Sequence, residues 1–403
     1  MVSFVRAQET ISAAVAALQI GTETVPLSEA CGRVLAERVA PDTDLPAFEN
    51  SAVDGYAVSF HETADAWQVK GEVTAGNYAP VEIGPRDAAL VMTGGMMPDA
   101  CDTVIPLEDA KGQGGVIRLK EGARFLRGMN VRHRGEDCAC GVTALRAGCL
   151  LAPRHLSAAA ACGCTSVRVM APLSIGIFST GDELIDPSRM PVRDQVRAST
   201  MPAISAACRA LGMKAEEFGL VRDELQEIRL AINGALDRGV DLLCITGGVS
   251  VGSRDYVKDA LRREGIELRI EGVLVKPGRP LVFGCTRHAG KDVLVFGLPG
   301  NPVSALTAYE VFVKEHLLAR YGMMPPFRHV KAALSREIGK RDRKRHFIPA
   351  SFAAGANGCA LVTPAEKRSS SMLVQLGRAD CLIILEEERT DPKEGETVEC
   401  LML

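Results

Sequence analysis

The chain has 403 residues, of which 47% are hydrophobic and 24% charged, and its formal net charge at pH 7 is -3. This length exceeds what a single hydrophobic core usually serves, so we expect several domains. The slightly negative charge excludes broad electrostatic binding to nucleic acid, which requires a basic face.

Membrane and secretory classes are also disfavoured by the sequence. No apolar run approaches the roughly 20 residues of a membrane-spanning helix, and the N-terminus lacks a clear signal-peptide pattern. The thirteen cysteines are scattered and contain no C-x-x-C motif, which disfavours a structural zinc site. Those in apolar stretches are interpreted as small buried hydrophobic residues in a reducing compartment, namely Cys31, Cys208, Cys244, Cys285 and Cys381. We therefore expect a cytoplasmic protein with no membrane partner.

The N-terminal part is predicted to combine helices with short strands. Residues 6–20 have an amphipathic helical pattern, and residues 41–57 have a loop-like composition. From about 67 to 137, short β-type runs alternate with turns that contain Gly or Pro, which predicts a small β-rich module. Residues 138–170 return to an Ala- and Leu-rich helix and a short strand.

Residues 172–320 show the clearest pattern, because apolar strands alternate there with amphipathic helices. This alternation predicts a mostly parallel sheet covered on both faces, with ligands bound beyond the carboxyl ends of the strands. Asp223 is expected to cap the helix that it opens, and Pro302 to occupy the first turn of one long helix. The predicted strands are 173–178, 214–221, 240–245, 267–275, 280–284 and 292–297, and the predicted helices are 200–211, 223–238, 254–264 and 302–321.

Two adjacent prolines, Pro325 and Pro326, mark the next boundary. Residues 328–403 contain short β-type runs separated by turns, which predicts a small barrel or sandwich.

The first loop that follows a predicted strand is STGDEL at 179–184. The hydroxyls of Ser179 and Thr180 can donate hydrogen bonds to a phosphate. Asp182 and Glu183 offer carboxylates to a cation or act as a base, and an N-cap followed by solvated acids is the alternative.

The second loop, TGGVSVGSRDY at 246–256, is rich in Gly and Ser. We expect Gly247, Gly248 and Ser250 to line an anion site, because closely spaced backbone N–H groups can surround a phosphate. The loop is neither a Rossmann G-x-G-x-x-G motif nor a Walker A motif. Asp255 opens the next predicted helix, where it either binds a cation or caps the helix.

The third loop, at 297–305, contains Pro299, Asn301 and Pro302 and leads directly into a predicted helix. An exposed helix N-terminus attracts anions, although a purely structural turn is the alternative.

Between these loops lies KPGRP at 276–280, which places Lys276 and Arg279 on a turn with little conformational freedom. Two cations on a rigid turn suit an oxyanion held by charge-assisted hydrogen bonds, and two solvated surface cations are the alternative.

Seven motifs, taken together and in order, resemble the molybdopterin molybdenumtransferase family, which includes bacterial MoeA and the gephyrin E-domain. Each motif is weak alone, but the ordered set is specific and spans almost the whole chain. The motifs are SAVDGYA (51–57), VMTGG (91–95), NVRHRGED (130–137), STGDEL, GGVSVGSRDY, KPGRP and LPGNPVSA.

The resemblance implies a multi-domain α/β fold and an elongated homodimer. The expected fold has a central, mostly parallel α/β sandwich domain, a β-rich inserted module, an N-terminal α/β domain and a C-terminal β-barrel. The expected boundaries are 1–50 with 138–171 for the discontinuous N-terminal domain, 51–137 for the inserted domain, 172–324 for the α/β domain and 325–403 for the barrel.

The resemblance also implies the chemistry. The family binds adenylylated molybdopterin and molybdate, hydrolyses the adenylyl bond with a divalent cation such as Mg²⁺, and inserts molybdenum at the dithiolene. A molybdopterin adenylyltransferase is the expected pathway partner, because it supplies the adenylylated substrate.

Carried over by motif, the predicted site consists of acids, hydroxyls, cations and loop residues. The expected catalytic acids are Asp54, Asp137, Glu183, Asp223 and Asp255, of which the last three are expected to bind the metal. The expected substrate-binding residues are Thr93, Arg132, Ser179, Thr180, Gly247, Gly248, Ser250, Lys276, Arg279, Pro299, Asn301, Pro302 and Ser370. Arg132 and Asp137 are the two charged residues of the R-x-x-GED stretch, and basic residues near Arg343 are expected to face the Lys276 loop.

The sequence departs from the family pattern in a few places. Arg279 stands where Lys is usual, and Ala198, Ser199 and Thr200 stand where a D-S-N-like string is usual. The second departure leaves an alternative open, a catalytically weak paralogue that acts as a dimeric molybdopterin-binding or scaffold protein.

Two further features are left open by the sequence. The dense basic run GKRDRKRHF at 339–347 is either a solvated turn or a surface that faces an anion. The seven histidines show no metal-like spacing and are interpreted as structural or surface groups.

Overall fold

The computed structural model describes residues 1–76, 80–250, 256–325, 327–355, 358–366, 369 and 371–403. The chain divides into two compact units, one formed by Met1–Glu23 with Met170–Leu403 and the other by Thr24–Val169. In the described ranges, no helix is both long enough and apolar enough to cross a membrane. Two predicted site residues, Asp255 and Ser370, lie outside the described residues.

The first helix, α1 (Phe4–Ala17), begins after Ser3, whose side chain accepts a hydrogen bond from Arg6 N at 3.2 Å. This N-cap places the helix start two residues before the predicted one at residue 6, because the cap satisfies a backbone N–H of the first turn.

The unit Thr24–Val169 is rich in short strands. The elements are β1 (Thr22–Pro26), β2 (Asn50–Ser51), β3 (Gly55–Val58), β4 (Ala66–Val73), β5 (Asp87–Val91), β6 (Thr103–Pro106), β7 (Ala110–Gln113), β8 (Val116–Leu119), β9 (Val131–Arg132), α2 (Pro153–Ala161) and β10 (Ser166–Met170). Within the described residues, six strands form one sheet in the order β6-β3-β5-β4-β8-β7, while β2 pairs with β9 and β1 with β10. Strand β2 and most of β3 fall within residues 41–57, which were predicted as loop.

The larger unit contains the expected α/β sandwich. Its elements are β11 (Ser174–Thr180), β12 (Leu184–Ile185), β13 (Val196–Arg197), α3 (Thr200–Ala210), β14 (Lys214–Val221), α4 (Leu225–Asp237), β15 (Leu242–Thr246), α5 (Val257–Arg263), β16 (Glu267–Glu271), β17 (Val275–Lys276), β18 (Val282–His288), β19 (Lys291–Leu298), α6 (Pro302–Ala308) and α7 (Glu315–Tyr321). A π-helical segment, Tyr309–Lys314, joins α6 to α7.

The sheet of this domain is mostly parallel, as predicted. Its strand order is β14-β11-β15-β19-β18-β16 in the described residues. The first four strands run parallel to their neighbours, and β18 runs antiparallel to β19 and β16. Strand β15 is buried throughout, which explains its continuous apolar sequence.

Three details of this domain differ from the sequence prediction. Helix α4 begins at Leu225 with Glu224 at the N-cap position, so the prediction that Asp223 caps this helix was wrong. The predicted strand 267–275 is two strands, and the second of them, β17, belongs to a different sheet. The predicted helix 302–321 is interrupted by the π-helical segment.

The C-terminal strands form a closed barrel, one of the two predicted forms. The elements are β20 (His329–Leu334), β21 (Arg345–Ala354), β22 (Ala360–Pro364), α8 (Leu373–Leu376), β23 (Cys381–Leu385) and β24 (Thr397–Met402). Strand β21 pairs with both β22 and β23, and the circle is completed through β20 and β24. Strand β17 adds to β21 in parallel and places Lys276 opposite His346.

The cysteine interpretation needs one correction. Cys208, Cys244 and Cys381 are buried as expected, but Cys31 is exposed and Cys285 is half-buried. Burial therefore follows the strand or helix face on which each thiol lies and not the apolar character of its neighbours in sequence.

Candidate functional site

The candidate site lies at one edge of the α/β sheet, where three adjacent parallel strands end. Strands β11, β15 and β19 are neighbours, and their last residues are Thr180, Thr246 and Leu298. Because parallel strands point the same way, the three loops that follow them emerge on the same side of the sheet. The fold therefore brings together the loops that the sequence singled out.

Direct contacts connect these strand ends. Ser179 Oγ lies 2.6 Å from Thr246 Oγ1, and both side chains are buried. Gly247 N donates to Leu298 O at 3.0 Å. Thr246 was not predicted as a site residue, although its position directly before the Gly-Gly pair is a signal that the sequence carries.

The glycines of the second loop are required by its geometry. Gly247 and Gly248 have φ values of 94° and 61°, in the left-handed region. A Cβ atom on Gly247 would lie 2.2 Å from Thr180 O, and one on Gly248 would lie 2.7 Å from Val257 Cγ2. The second loop can therefore approach β11 this closely only without side chains at these two positions.

Two predicted acids lie beside the end of β11. Asp223 Oδ1 accepts a hydrogen bond from Thr180 Oγ1 at 2.5 Å, and Asp223 N donates to Asp182 Oδ1 at 3.2 Å. The Glu183 carboxylate lies against Gly181, where an added Cβ would be 2.8 Å from Glu183 Oε2. Asp223 therefore faces the strand end and does not cap α4.

These carboxylates match the chemistry of a hard divalent cation, since Mg²⁺ prefers oxygen ligands and usually keeps several waters. Among the residues that the structure describes, no group of three or more His, Cys, Asp or Glu is arranged to hold a metal ion. The third predicted ligand, Asp255, is outside those residues. The prediction of a metal bound by all three acids therefore stays a prediction.

The two cations of the KPGRP loop line different cavities. Lys276 lines a cavity of about 200 Å³ together with Pro277, Val303 and residues of the barrel. Arg279 lines another cavity, of about 290 Å³, with Ser250 and Lys258, and its Nε donates to Met1 Sδ at 3.2 Å. The pairing of β17 with β21 places Lys276 beside the barrel, and Arg279 lies with Ser250 at the other cavity. That the two cations hold one oxyanion stays a prediction.

The third loop joins the sheet edge to the Lys276 cavity. Asn301 is the N-cap residue of α6, Pro302 is the first helical residue, and Pro299 directly follows β19. The next residue, Val303, lines the cavity. Gly278 packs on the same helix, since its added Cβ would lie 3.6 Å from Ser304 O. The loop at 297–305 therefore lies between the two groups of predicted ligand residues.

The remaining predicted residues lie in the unit Thr24–Val169. Asp54 Oδ1 accepts hydrogen bonds from Thr93 N and Thr93 Oγ1, both at 2.7 Å. The backbone N–H, followed by the hydroxyl, holds the pKa of Asp54 below its usual value. Asp54 is thus kept ionised and oriented by the MTG turn.

The two charged residues predicted from the R-x-x-GED stretch do not pair with each other. Arg132 lies in β9 and Asp137 N donates to Leu45 O, and within the described chain their side chains form no mutual ion pair, so their roles in the site stay a prediction. The ion pairs of this segment are Arg134 with Asp44 at 2.6 Å and His133 with Glu49 at 2.9 Å. The spacing of residues within the 130–137 motif could not reveal these partners, because Asp44 and Glu49 lie more than 80 residues earlier in the chain.

Comparison with known proteins places the chain in one family. Family models match residues 2–163 (MoeA N-terminal region, domain I and II), 176–319 (probable molybdopterin binding domain) and 331–403 (MoeA C-terminal region, domain IV). The molybdopterin molybdenumtransferase of Haemophilus influenzae is 31% identical over 386 residues, which is 94% of this chain and 93% of that protein. The enzyme of the same name from Bacillus subtilis is 30% identical over 95% of this chain and 90% of its own length.

Solved structures agree with this placement. The crystal structure of the molybdopterin biosynthesis MoeA protein from Pyrococcus horikoshii OT3 is 28% identical, with a TM-score of 0.83 over 100% of both chains. This chain therefore belongs to the molybdopterin molybdenumtransferase family of transferases.

Proposed function

We propose that this chain is a molybdopterin molybdenumtransferase that binds adenylylated molybdopterin and molybdate, hydrolyses the adenylyl bond and inserts molybdenum into the dithiolene. The observation that carries the proposal is the convergence of the loops after β11, β15 and β19 at one sheet edge. Hydroxyls and loop N–H groups at such an edge suit a phosphate-containing ligand.

Each group has a role that follows from its position. Ser179 and Thr246 form a buried hydroxyl pair at the sheet edge, and Gly247 and Gly248 let the second loop pack closely against Thr180 and Val257. Glu183 and Asp223 would hold Mg²⁺, which when bound neutralises phosphate oxygens and polarises the bond to be cleaved. Lys276 supplies positive charge to an oxyanion at its cavity.

The assembly and the partner are proposed from the family. We infer a cytoplasmic homodimer that receives its adenylylated substrate from a molybdopterin adenylyltransferase. Sedimentation of the purified chain tests the homodimer, and co-purification with the adenylyltransferase tests the partner.

Molybdate-dependent release of AMP from adenylylated molybdopterin tests the activity. We expect release that requires Mg²⁺ and that falls about 100-fold or more in Asp223→Asn, because a ligand or its immediate support is removed. Asp237→Asn is the matched control, since Asp237 is 72% exposed at the far end of α4. Equal rates in the two variants would remove Asp223 from the site.

The same assay separates the enzyme from the scaffold alternative. The altered residues lie at the start of α3, where Ala198 and Thr200 are buried and Ser199 is the N-cap residue. Intact binding of adenylylated molybdopterin without AMP release would favour the scaffold.

A further inference from the structure

The Lys276 cavity contains a histidine that the proposed mechanism does not use. Four of the side chains that line it can donate or accept hydrogen bonds: Lys276, His346, Ser369 and Gln375. His346 lies directly opposite Lys276 in the pairing of β17 with β21, and its residue is 7% exposed. A titratable ring is therefore enclosed beside a cation at the wall of the cavity.

A carboxylate orients this ring. His346 Nε2 lies 2.8 Å from Asp342 Oδ1, and Asp342 also accepts a hydrogen bond from Lys344 N at 3.1 Å. A neutral ring donates its Nε2 proton to Asp342, which leaves Nδ1 as the nitrogen that can take up a proton. Across the described chain, Nδ1 has no hydrogen-bond partner and is not among the buried unpaired atoms.

Burial, helped by two nearby cations, favours a neutral His346 ring when no anion is bound. Burial lowers the pKa of His346, the Asp342 carboxylate opposes this shift, and the positive charges of Lys276 and Lys340 add to it. Lys340 is 2% exposed and donates to the carbonyl oxygens of Asp342 and Glu387. The nearby Arg345 is paired with Glu387 at 3.0 Å.

A bound dianion would reverse this balance. Two negative charges placed beside Lys276 offset the cations that disfavour the imidazolium ion, and Asp342 then stabilises the charged ring from its other side. The same arrangement, a buried histidine held by a carboxylate, supports an imidazolium ion in other proteins.

We propose that His346, held by Asp342, takes up one proton from solvent when a tetrahedral oxyanion dianion binds beside Lys276. The inference rests on the proposed function in that the dianion is taken to be molybdate. Binding then consumes one proton per anion: neutral His346, one solvent proton and the dianion give the imidazolium–dianion pair, and no bond of the anion is broken. The histidine thereby makes occupancy of the cavity depend on pH.

The test measures molybdate binding to the full chain by calorimetry at pH 7.5 in buffers of different ionisation enthalpy. We expect uptake of about one proton per molybdate, and an affinity that falls about tenfold per pH unit between the pKa of free His346 and its higher pKa in the complex. His346→Gln should bind molybdate with almost no proton uptake and a flat pH profile. His329→Gln, in the same barrel but paired with Glu315 and Glu399, should behave like the natural chain.

A second variant, Asp342→Asn, tests the inference independently in case His346→Gln does not fold. Asp342→Asn keeps the ring but removes its carboxylate, so we expect the pKa of His346 in the bound state to fall and proton uptake at pH 7.5 to drop well below one. The inference is overturned if His346→Gln takes up as many protons as the natural chain, or if the natural chain binds molybdate without proton uptake. In either case the proposed function still stands if the natural chain releases AMP. Absence of molybdate binding together with absence of AMP release overturns both.

Discussion

Thr180 Oγ1 donates a hydrogen bond to Asp223 Oδ1 at 2.5 Å and so joins the end of β11 to the residue pair that follows β14. Thr180 is buried and Asp223 is half-buried, so the contact is shielded from solvent on one side. The hydroxyl fixes the direction of the carboxylate beside the Gly247 loop. Orientation of an acid by a neighbouring donor is a general way to prepare a cation site.

Thr180→Val should separate this orienting role from simple packing. The substitution keeps the branched shape and removes the donor, so we expect AMP release to fall about 10- to 100-fold and more Mg²⁺ to be needed for half-maximal rate. Thr180→Ser, which keeps the hydroxyl, should retain most of the activity. The orienting role is rejected if the valine and serine variants show the same rate and the same Mg²⁺ dependence.

Gly247→Ala should damage the second loop, whereas the same substitution in α4 should not. The added Cβ at 247 would lie 2.2 Å from Thr180 O at a φ of 94°, so we expect a loss of about 1–3 kcal/mol in the free energy of unfolding and a loss of ligand binding. Gly234 is exposed in α4 with open space around its added Cβ, so Gly234→Ala should stabilise by about 0.5–1 kcal/mol. Urea unfolding followed by circular dichroism measures both, and a stable, active Gly247→Ala protein would contradict the geometry.

Arg328→Met should weaken the attachment of the barrel to the preceding helix. Arg328 is 4% exposed and donates to Glu310 Oε2 at 2.7 Å, to Glu315 Oε2 at 3.3 Å and to Met402 O. Its removal takes one partner from each carboxylate, although Glu310 keeps Lys314 and Glu315 keeps His329, so we expect a loss of about 1.5–3 kcal/mol. Arg238→Met is the control, because its ion pair with Glu216 is exposed and should contribute less than about 1 kcal/mol. Similar thermal unfolding midpoints for the two variants would show that Arg328 is not a structural anchor.

Glu264→Gln should remove a pH-dependent contribution that links α4 to the end of α5. Glu264 Oε1 accepts from Arg229 Nε at 2.5 Å and Oε2 accepts from Asn233 Nδ2 at 2.8 Å. The Arg229 hydrogen bond chiefly lowers the pKa of Glu264. Because the pKa of Glu264 is lower in the folded chain than in the unfolded chain, where it is about 4.3, its ionised carboxylate stabilises the fold at pH values above about 4.3. This stabilisation is lost as the pH falls through the pKa of the folded chain.

At pH 7 the free energy of unfolding of the natural chain should therefore be about 1 kcal/mol larger than that of Glu264→Gln. This figure is reduced because Arg229 is partly exposed to solvent. The difference should shrink below pH 4. Glu267→Gln, whose carboxylate is 71% exposed, should show no such trend. Unfolding by urea at a series of pH values measures this, and a difference that grows on acidification would refute the assignment.

Several features were determined by the sequence alone. The alternation of apolar strands and amphipathic helices from 172 to 320 predicted the α/β sandwich, because the spacing of apolar residues indicates which face of each strand or helix is buried. The Gly247–Gly248 pair predicted a loop after a buried strand, and the structure places it directly after β15 with both residues at positive φ. The rule that ligands bind beyond the carboxyl ends of parallel strands also predicted that the loops after these strands would form the site.

Other features were decided only by the tertiary structure. Local pattern made Asp223 a helix cap, but a hydrogen bond from Thr180, 43 residues earlier, directs it to the sheet edge. Lys276 and Arg279 are three residues apart and were assigned one role, yet they line different cavities, and the pairing of β17 with β21 sets His346 opposite Lys276. The basic run at 339–347 left open which side chains turn inward, and the barrel buries Lys340 and His346. Local periodicity reports burial and backbone conformation, whereas the partner of a charged side chain depends on which distant strand or loop packs beside it.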